Sequence, residues 1–339
     1  MEIDCSAGGG QLLRTSVGIA ALTGTPIELT QIRAHRPNPG LKAQHAAAVG
    51  ILADICNATV SPFAVGTDSL TFEPGPPQSG SYERAIETAG NVFLVFDTLL
   101  PLAHIIEKPL VVTVHGGTET KWAPTSDYYR RIKLPLLRRH GLNAHVVLDR
   151  YGFYPVGGGS ATLYLYPSSF QPIELPRPDS INSAHVYSLE TDDLSQATVA
   201  SRQAETARAG LTERDISLQD TRIRTISAPS AGSAVTIRGA GAHAIFGFTN
   251  VGEKGKPAES VASECLDALD DFHSNPSAVD PHTADQLLPF LAVAGGTLAI
   301  SSLTDHIESL LTLLEALQFD IQVSDSADGL LISSDGRAL

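Results

Sequence analysis

Stretches with the pattern of β-strands alternate with stretches of helical spacing along the first 177 residues of the chain. Apolar residues have helical spacing over 16–22 and 45–55, whereas the β-branched runs at 110–114 and 146–148 are typical of strands. Such alternation predicts an α/β (α+β) fold, in which helices pack on mixed sheets.

The most regular helical pattern is basic and runs from Asp127 to His140. Tyr128, Ile132 and Leu136 recur at every fourth position, which predicts one continuous helix with a single apolar face. The glycine that follows is a common helix terminator.

Four prolines fall within the twelve residues that end at position 178, and the composition changes there. The following segment, 178–275, is polar and acidic, after which the apolar alternating pattern resumes. Proline-rich stretches often separate domains. We therefore predict one large domain built from 1–177 and 276–339, with 178–275 inserted into it as a small α/β domain.

The net charge of −14 comes from 23 basic and 37 acidic side chains, whereas nucleic-acid-binding proteins are usually basic. The imbalance is unevenly distributed. Residues 1–177 carry 14 basic and 14 acidic side chains, 178–275 carry 8 and 14, and 276–339 carry 1 and 9. The whole acidic excess therefore lies in the second half of the chain.

Three features bear on cellular location. No apolar run reaches the roughly 18 residues that a membrane-spanning helix needs. The first residues lack the basic region of a secretory signal, and the three cysteines have no metal-binding spacing. We expect a protein of a reducing compartment, cytoplasmic or nuclear, that is not secreted and has no membrane partner.

A glycine loop at 8–10 leads into a helical pattern that carries Gln11 and Arg14. Glycines allow close backbone approach, and the N–H groups of a helix start together with a guanidinium suit a phosphate. Neither standard nucleotide-binding glycine fingerprint matches, so a simple tight turn is the alternative.

The loop at 32–45 concentrates basic and titratable side chains between prolines. It contains Arg33, Arg36, Gln44 and His45, and its prolines favour a rigid, extended shape. Such a loop could present several donors to a polyanion with little loss of conformational entropy. A solvated basic loop is the alternative.

An aromatic turn at 151–159 contains Tyr151, Phe153 and Tyr154 together with several glycines. Aromatic rings stack on nucleobases in proteins that bind single strands. The alternative is that these rings cover an edge of the hydrophobic core.

A C-terminal helix is predicted to begin near Asp305, which could cap it, with Glu308 completing a capping-box pattern. His306 would then lie in the first helical turn. The positive end of a helix disfavours an imidazolium ion, which leaves a neutral nitrogen nucleophile. A purely structural histidine is the alternative.

Weak internal repeats accompany these segments. The sequence at 97–102 resembles that at 285–290, each with an aspartate, two leucines and a proline, and 133–137 is a looser third copy. Coincidence in a leucine-rich chain is the alternative to a duplicated unit.

Taken in order, these segments resemble the RNA 3′-terminal phosphate cyclase family over nearly the whole chain. The matching stretches are GGGQLLR at 8–14, IRAHRPNPGLKAQH at 32–45, ETAGN at 87–91, HGGTETKWAPTSDYYRRIKLPLL at 115–137, GFYPVGGG at 152–159, VGEKGKPAE at 251–259, ADQLLP at 284–289 and His306. One such match would be weak, whereas eight in the same order are specific.

The resemblance implies repeated β-α-β-β units like the C-terminal domain of translation initiation factor 3, with a small domain inserted before the last unit. It implies an enzyme that forms an adenylate on His306 from ATP and releases diphosphate. AMP then passes to an RNA 3′-phosphate end, and the adjacent 2′-hydroxyl displaces it to give a 2′,3′-cyclic phosphate. Covalent catalysis divides one difficult displacement into easier steps, and a divalent metal (Mg or Mn) with arginines offsets the phosphate charge.

The resemblance also implies which residues bind the substrates. Those expected beside the nucleotide are Asp285, Gln286, Pro124, Asp97 and Arg14. Those expected beside the phosphates of ATP or the RNA end are Gln11, Arg33, Arg36, Gln44 and His45.

Three places depart from the family pattern. Ala7 stands where a glutamate is expected to touch the metal, so the metal ligands are unknown, and Asp97 or Asp4 could supply a replacement carboxylate. Asp97 itself replaces a common glutamine. Ser309 and Leu310 replace a Thr-Asn pair after the histidine.

Two other functions remain open. A catalytically silent cyclase-like protein of ribosome biogenesis would agree with the altered positions, although not with the retained histidine. An enolpyruvyl transferase is built from related units, but it needs two similar large domains rather than one with an acidic insert.

Overall fold

The computed structural model describes residues 1–6, 9–177, 181–240, 245–275, 277–326 and 329–339. It has a mixed α/β architecture of small four-stranded sheets with helices packed on them, which confirms the predicted α/β (α+β) class. Across these ranges no helix combines the length and the apolar character that crossing a membrane requires.

The first sheet forms around the N-terminal strand. Its elements are β1 (Glu2–Asp4), α1 (Gly10–Thr23), β2 (Ile27–Thr30), α2 (Ala43–Cys56), β3 (Thr59–Val60) and β4 (Leu70–Glu73). β1 pairs in parallel with β2, and β4 runs antiparallel between β2 and β3. α1 ends at Gly24, which adopts the left-handed conformation (φ 66°) and donates its N–H to the Ala20 carbonyl.

The second sheet repeats this connectivity. Its elements are β5 (Gly80–Ala85), α3 (Val92–Leu99), a 3₁₀ segment (Leu100–His104), β6 (Leu110–Gly116), α4 (Ser126–Tyr128), a π-helical segment (Tyr129–Lys133), α5 (Leu134–Arg139), β7 (Ala144–Arg150) and β8 (Gly159–Leu165). β5 pairs in parallel with β6, and β8 runs antiparallel between β6 and β7.

The π-helical segment interrupts the helix that was predicted over 127–140. The predicted apolar face is buried, but the wider turn of the π-helix also brings Tyr129 and Lys133 to the buried side. Single π-helical turns inside α-helices are frequent at functional sites. A side chain that regular spacing would leave at the edge of the helix is thereby turned inward.

Strand β9 (Ile173–Leu175) ends the first part of the chain, and a separate sheet follows it. This sheet contains β10 (Ser183–Thr191), a 3₁₀ segment (Asp192–Ala197), α6 (Val199–Glu213), β11 (Ser217–Ile226), β12 (Ser233–Ala240), β13 (Ile245–Val251) and α7 (Ala258–Ser274). Its strand order is β11-β10-β12-β13, and α6 and α7 pack on it around a hydrophobic cluster of its own.

The last sheet joins the two sides of this insertion. It consists of β9 with α8 (Pro281–Ala294), β14 (Gly296–Ile300), α9 (Asp305–Ala316), β15 (Gln322–Ser326) and β16 (Gly329–Ser334). β9 pairs in parallel with β14, and β16 runs antiparallel between β14 and β15. Three sheets therefore share one connectivity, and one hydrophobic cluster runs through all of them.

The repeated motif fits this connectivity in two of its three places. Asp97 lies on α3 and Asp285 on α8, which occupy equivalent positions between the parallel strands of their sheets. The third copy, 133–137, lies on the other helical stretch of the second unit. It is therefore not an equivalent element, and the expectation of a third repeat is wrong.

The inserted sheet contacts the rest of the molecule through apolar and ionic groups. Phe153 packs with Leu189 and neighbouring residues of the insert in a small cluster. Arg224 of β11 forms an ion pair with Asp127 and donates a 2.7 Å hydrogen bond to the Tyr151 hydroxyl. These contacts position the insert opposite α1, α3 and α8.

Candidate active site

A cleft of about 2400 Å³ lies between the inserted sheet and the three like sheets. The first helices of those sheets, α1, α3 and α8, line one wall, and β13 and α7 line the other. All eleven residues expected from the sequence border this cleft, so the fold brings them together.

A buried ionic cluster joins α3, α8 and the π-helical segment. Lys133 Nζ lies 2.5 Å from Asp97 Oδ1 and donates a 2.6 Å hydrogen bond to Gln286 Oε1. The Lys133 side chain is 3% exposed and that of Asp97 is 15% exposed. Because an unpaired buried charge is costly, this pairing fixes the three elements relative to one another.

Arg14 and Asp285 extend the ionic cluster. Burial lowers the pKa of Arg14 to about 10, although Asp97 and Asp285 act to raise it. Burial also raises the pKa of Asp285 to about 7, while a hydrogen bond from Gln11 and the charge of Lys133 act to lower it. Asp285 therefore titrates near neutral pH beside two fixed cations.

His306 lies in the first turn of α9, as predicted, but a different residue caps this helix. Thr304 is the N-cap, and its Oγ1 accepts a 3.2 Å hydrogen bond from the Ile307 N–H. Asp305 is already helical, so the prediction that it caps is wrong. Glu308 is consequently one position too far along to complete a capping box.

The side chain of His306 meets the glycine loop and the arginine loop at one point. A Cβ placed on Gly9 would lie 3.6 Å from His306 Cε1 and 3.4 Å from Arg36 Nη2. Partial burial lowers the pKa of His306, and the neighbouring His282 and Arg36 act in the same direction. The imidazole is therefore neutral at pH 7, and its lone pair is available as a nucleophile.

The two arginines of the loop at 32–45 are used differently. Arg33 Nη1 donates to the carbonyls of Asn38 and Gly40, each at 2.9 Å, so this side chain holds the loop in shape. Arg36 is exposed beside His306. An anion bound at the histidine would therefore have the Arg36 guanidinium next to it.

His45 is a buried residue that packs against the glycine loop. Its ring is 5% exposed, and Nδ1 accepts a 3.1 Å hydrogen bond from the Lys42 N–H, which puts the ring proton on Nε2. Burial lowers the pKa of His45 to about 3, and Arg14 adds to that shift. A Cβ on Gly10 would lie 1.9 Å from Nε2, so the glycine is required for this approach.

Asn91 connects two predicted site residues, Gln44 and Pro124. Its N–H donates to Gln44 Oε1 at 2.8 Å, and its Nδ2 donates to the Pro124 carbonyl at 3.1 Å. Its Oδ1 also caps α3 by accepting from the Phe93 N–H. The backbone and side chain of one buried residue thereby join α2, α3 and the loop before α4.

Glu119 is a fully buried carboxyl that also lines the cleft. Both of its oxygens lie 3.2 Å from the Ser126 N–H, from which they accept. Burial raises the pKa of Glu119 to about 8, and nearby Asp127 adds to the increase. The carboxyl is therefore mostly protonated at neutral pH.

The described side chains contain no preformed cluster of metal ligands. Within the ranges given above, no group of three or more His, Cys, Asp or Glu side chains could hold a metal ion. Asp97 is paired with Lys133, and Asp4 is exposed and accepts from the Ser6 N–H. Ala7 lies outside the described residues, so the replacement of the carboxylate expected there by Asp97 or Asp4 stays a prediction.

Three buried residues of the cleft carry no prediction from the sequence. Lys133 lies in the stretch at 115–137 that matches the family, and that match was a usable signal. Asn91 precedes an apolar run, which is the usual place of a helix cap. Glu119 lies in the same matching stretch, but its burial depends on two loops that meet only in the folded chain.

Comparison with known proteins shows the family. A family model described as RNA 3′-terminal phosphate cyclase matches residues 5–323. A protein of that name from Halobacterium salinarum is 42% identical over 98% of this chain and 99% of its own length. A protein of the same name from Saccharolobus solfataricus is 37% identical over 90% of this chain and 90% of its own length. Another from Ectopseudomonas mendocina is 35% identical over 91% of this chain and 90% of its own length. The chain belongs to the RNA 3′-terminal phosphate cyclase family.

Proposed function

We propose that this protein converts an RNA 3′-phosphate to a 2′,3′-cyclic phosphate and consumes ATP, releasing AMP and diphosphate. The names of its family and relatives describe cyclisation of an RNA 3′-terminal phosphate. Within the chain itself, the proposal is supported by the meeting of a neutral His306, the exposed Arg36 and the Gly9 backbone.

In the first step, the neutral imidazole of His306 attacks the α-phosphorus of ATP. A P–N bond forms while the P–O bond to diphosphate breaks, so AMP remains on the histidine. The lowered pKa of His306 keeps the lone pair free for this attack. The Arg36 guanidinium beside it offsets the negative charge that develops on the phosphoryl oxygens.

In the second step, an oxygen of the RNA 3′-phosphate attacks the phosphorus of the adenylate. The P–N bond breaks, and the RNA end then carries AMP through a phosphoanhydride. The adjacent 2′-hydroxyl attacks the 3′-phosphorus and loses its proton as AMP leaves. Three displacements with good leaving groups thus replace one in which a phosphate monoester would have to expel oxide.

The other predicted residues are proposed to divide into two groups by their environment. Gln11, Arg14, Asp285, Gln286, Asp97 and Pro124 form the wall beside the nucleotide. Arg33, Gln44 and His45 hold the loops in the shape that the phosphates require, because their polar atoms already bond to the protein.

A divalent ion, Mg²⁺ or Mn²⁺, is expected to arrive with the phosphates of ATP. Mg²⁺ commonly uses substrate phosphates with one or two carboxylates rather than a cage of protein ligands. The lack of a metal-holding group among the described side chains supports this view. None of the steps above assigns chemistry to the ion.

The finer description of the fold is likewise a proposal. We propose that the three sheets of like connectivity are repeats related to the C-terminal domain of translation initiation factor 3. We further propose that 178–275 is the inserted domain and that the protein acts in the cytoplasm or nucleus. The separate hydrophobic cluster of β10–β13 and its helices supports the division.

Labelling with α-³²P-ATP tests the proposed function. The wild-type protein should retain label on a histidine after denaturation, and His306→Ala should retain none. His115→Ala is the matched control, because His115 is paired with Glu83 and does not border the cleft. Equal labelling of the wild type and His306→Ala would reject the histidine as nucleophile.

The same assay separates the cyclase from the catalytically silent alternative. A cyclase forms the adenylate and then converts a 3′-phosphorylated oligonucleotide to its cyclic form. A silent relative would bind RNA or pre-ribosomal particles without any labelled intermediate. Binding without label, in the presence of Mg²⁺ or Mn²⁺, would therefore select the alternative.

A further inference from the structure

Two aromatic side chains stand out from the surface at the border of the cleft. Trp122 is 95% exposed and Tyr154 is 76% exposed, and both line the cleft that contains His306. Among the Phe, Trp and Tyr side chains in the part of the chain that the structure describes, no others are exposed. None of the reaction steps described above uses them.

The backbone holds the Trp122 ring away from the core. Its φ of 58° lies in the left-handed region, which is unfavourable for a bulky side chain. Lys121 Nζ lies 5.5 Å from the centre of the ring and forms an ion pair with Glu253, in the loop between β13 and α7. Such strain persists only where the surroundings impose it, and it clusters at ligand-binding positions.

The loop that carries Tyr154 is fixed on both sides of this residue. Phe153 is 2% exposed in its apolar cluster, and the Val156 N–H donates to Ser230 Oγ at 3.2 Å. The backbone of Phe153 also bridges to that of Glu119, three residues before the tryptophan. The two exposed rings therefore project from neighbouring loops that are both tied to the protein.

The surroundings of these rings suit an anionic single strand. Arg36 and the exposed Lys254 border the same cleft, so cationic groups lie on both of its walls. A base stacked on Trp122 would keep its other face in water, as in proteins that bind single strands. An ATP adenine is usually enclosed, because small-ligand sites bury most of the ligand surface.

We propose that Trp122 and Tyr154 form a stacking platform for the unpaired nucleobases that precede the 3′-terminal nucleotide of the RNA substrate. This proposal rests on the proposed function and names the part of the substrate that lies outside the reacting end. Stacking is tolerant of base identity, so the platform selects single-stranded ends rather than particular sequences.

Fluorescence tests the platform directly, because Trp122 is the single tryptophan of the chain. Without ATP, a 3′-phosphorylated RNA decamer should quench the emission. An abasic sugar-phosphate of equal length carries the same phosphates but no bases, and it should not. Quenching by the abasic strand to the same extent, or by ATP alone, would overturn the proposal; the latter would make the ring an adenine site.

Kinetics provides the second test. Trp122→Ala should lower kcat/KM for cyclisation of the decamer about five- to 150-fold through KM, with a smaller loss for Tyr154→Ala. The loss should be confined to substrates with upstream bases and should not appear for a nucleoside 3′-phosphate. Trp122→Phe should recover most of the affinity, since it restores a stacking face.

The matched control is Val156→Ala, which changes an exposed apolar residue of the same loop that does not border the cleft. It should affect neither substrate. An equal loss on both substrates in Trp122→Ala, or a loss of histidine labelling with RNA binding intact, would overturn the platform. If the wild type binds the decamer but forms no adenylate, the proposed function fails while the platform stands.

Discussion

The buried ionic cluster around Lys133 and the exposed pair of His306 and Arg36 belong to one cleft, but they hold charge in opposite ways. Lys133 is enclosed and bonded to Asp97 and Gln286, so its hydrogen-bonding capacity is already used by the protein. Arg36 is exposed and keeps its donors for a ligand. The difference shows that rigidity and chemistry are assigned to separate residues in this cleft.

The largest expected effect comes from removing Lys133 from the buried ionic cluster. Lys133→Met should lower the free energy of unfolding by about 3–5 kcal/mol, because it leaves the Asp97 carboxylate buried without its partner. Urea unfolding followed by circular dichroism measures the change. Lys254→Met removes an exposed lysine that borders the same cleft and should stay within about 0.5 kcal/mol of wild type.

A second variant separates the ion pair from simple packing. Lys133→Met combined with Asp97→Leu removes both charges and should recover a large part of the lost stability. If the loss of stability in the double variant equals the sum of the losses in the two single variants, Lys133 and Asp97 do not stabilise the protein as an ion pair.

The next effect is a dependence of stability on pH. The pKa of His45 is about 3 in the folded protein and about 6.5 when unfolded, so its contribution is complete above pH 6.5 and is lost as the pH falls toward 3. Relative to His45→Gln, the wild type should lose about 3 kcal/mol between pH 6.5 and 4. Unfolding titrations of both proteins across that range provide the measurement, and parallel curves would contradict a buried neutral ring.

Removal of the exposed Arg36 should lower the activity without lowering the stability. Arg36→Ala should slow labelling of His306 by about 10²–10³-fold, since one charge that stabilises the transition state is lost. Its free energy of unfolding should change by less than about 0.5 kcal/mol. Single-turnover labelling and urea unfolding measure the two quantities. A stability loss comparable to that of Lys133→Met would erase the distinction between the two regions.

The smallest effect concerns salt. Among the described cations that border the cleft, Arg36 and Lys254 are exposed and most others are buried or ion-paired, which predicts a shallow dependence of RNA affinity on salt, with a slope of about −1 to −2 in log–log form. Fluorescence titrations with a short 3′-phosphorylated RNA at about 50 to 300 mM salt would measure this slope, since the logarithm of the affinity is about linear in the logarithm of the salt concentration. A slope steeper than about −4 would indicate many phosphate contacts and would contradict this view.

The sequence predicts the helices and strands of the fold better than it predicts which of their side chains are buried in the cleft. Apolar spacing predicts α1, α2 and α9, because a helix that buries one face has apolar residues at every third or fourth position. It did not predict that a π-helical segment turns Lys133 inward, because periodicity assumes a regular helix. The cap of α9 was placed one residue late, because Thr304 and Asp305 are both common capping residues and only the backbone decides between them.

The candidate site shows the same limit. The motifs located His306 and the arginine loop, but they gave Arg33 and Arg36 the same role. Burial and hydrogen bonds to the loop distinguish them, and both are tertiary properties. Glu119 lies in the matching stretch at 115–137, but its burial follows only once two loops meet, so local sequence does not predict its environment.

The pairing of β9 with β14 has a consequence for synthesis on the ribosome. β9 (Ile173–Leu175) must wait for its parallel partner β14 (Gly296–Ile300), which follows the whole inserted sheet. At about 5–20 residues per second, the roughly 120 intervening residues take on the order of ten seconds to emerge. During that delay Ile173 and Leu175, fully buried in the finished protein, have no sheet to join. The helices that carry Asp285 and His306 emerge in the same late stretch, so the nascent chain gains its nucleophile only as its last sheet closes.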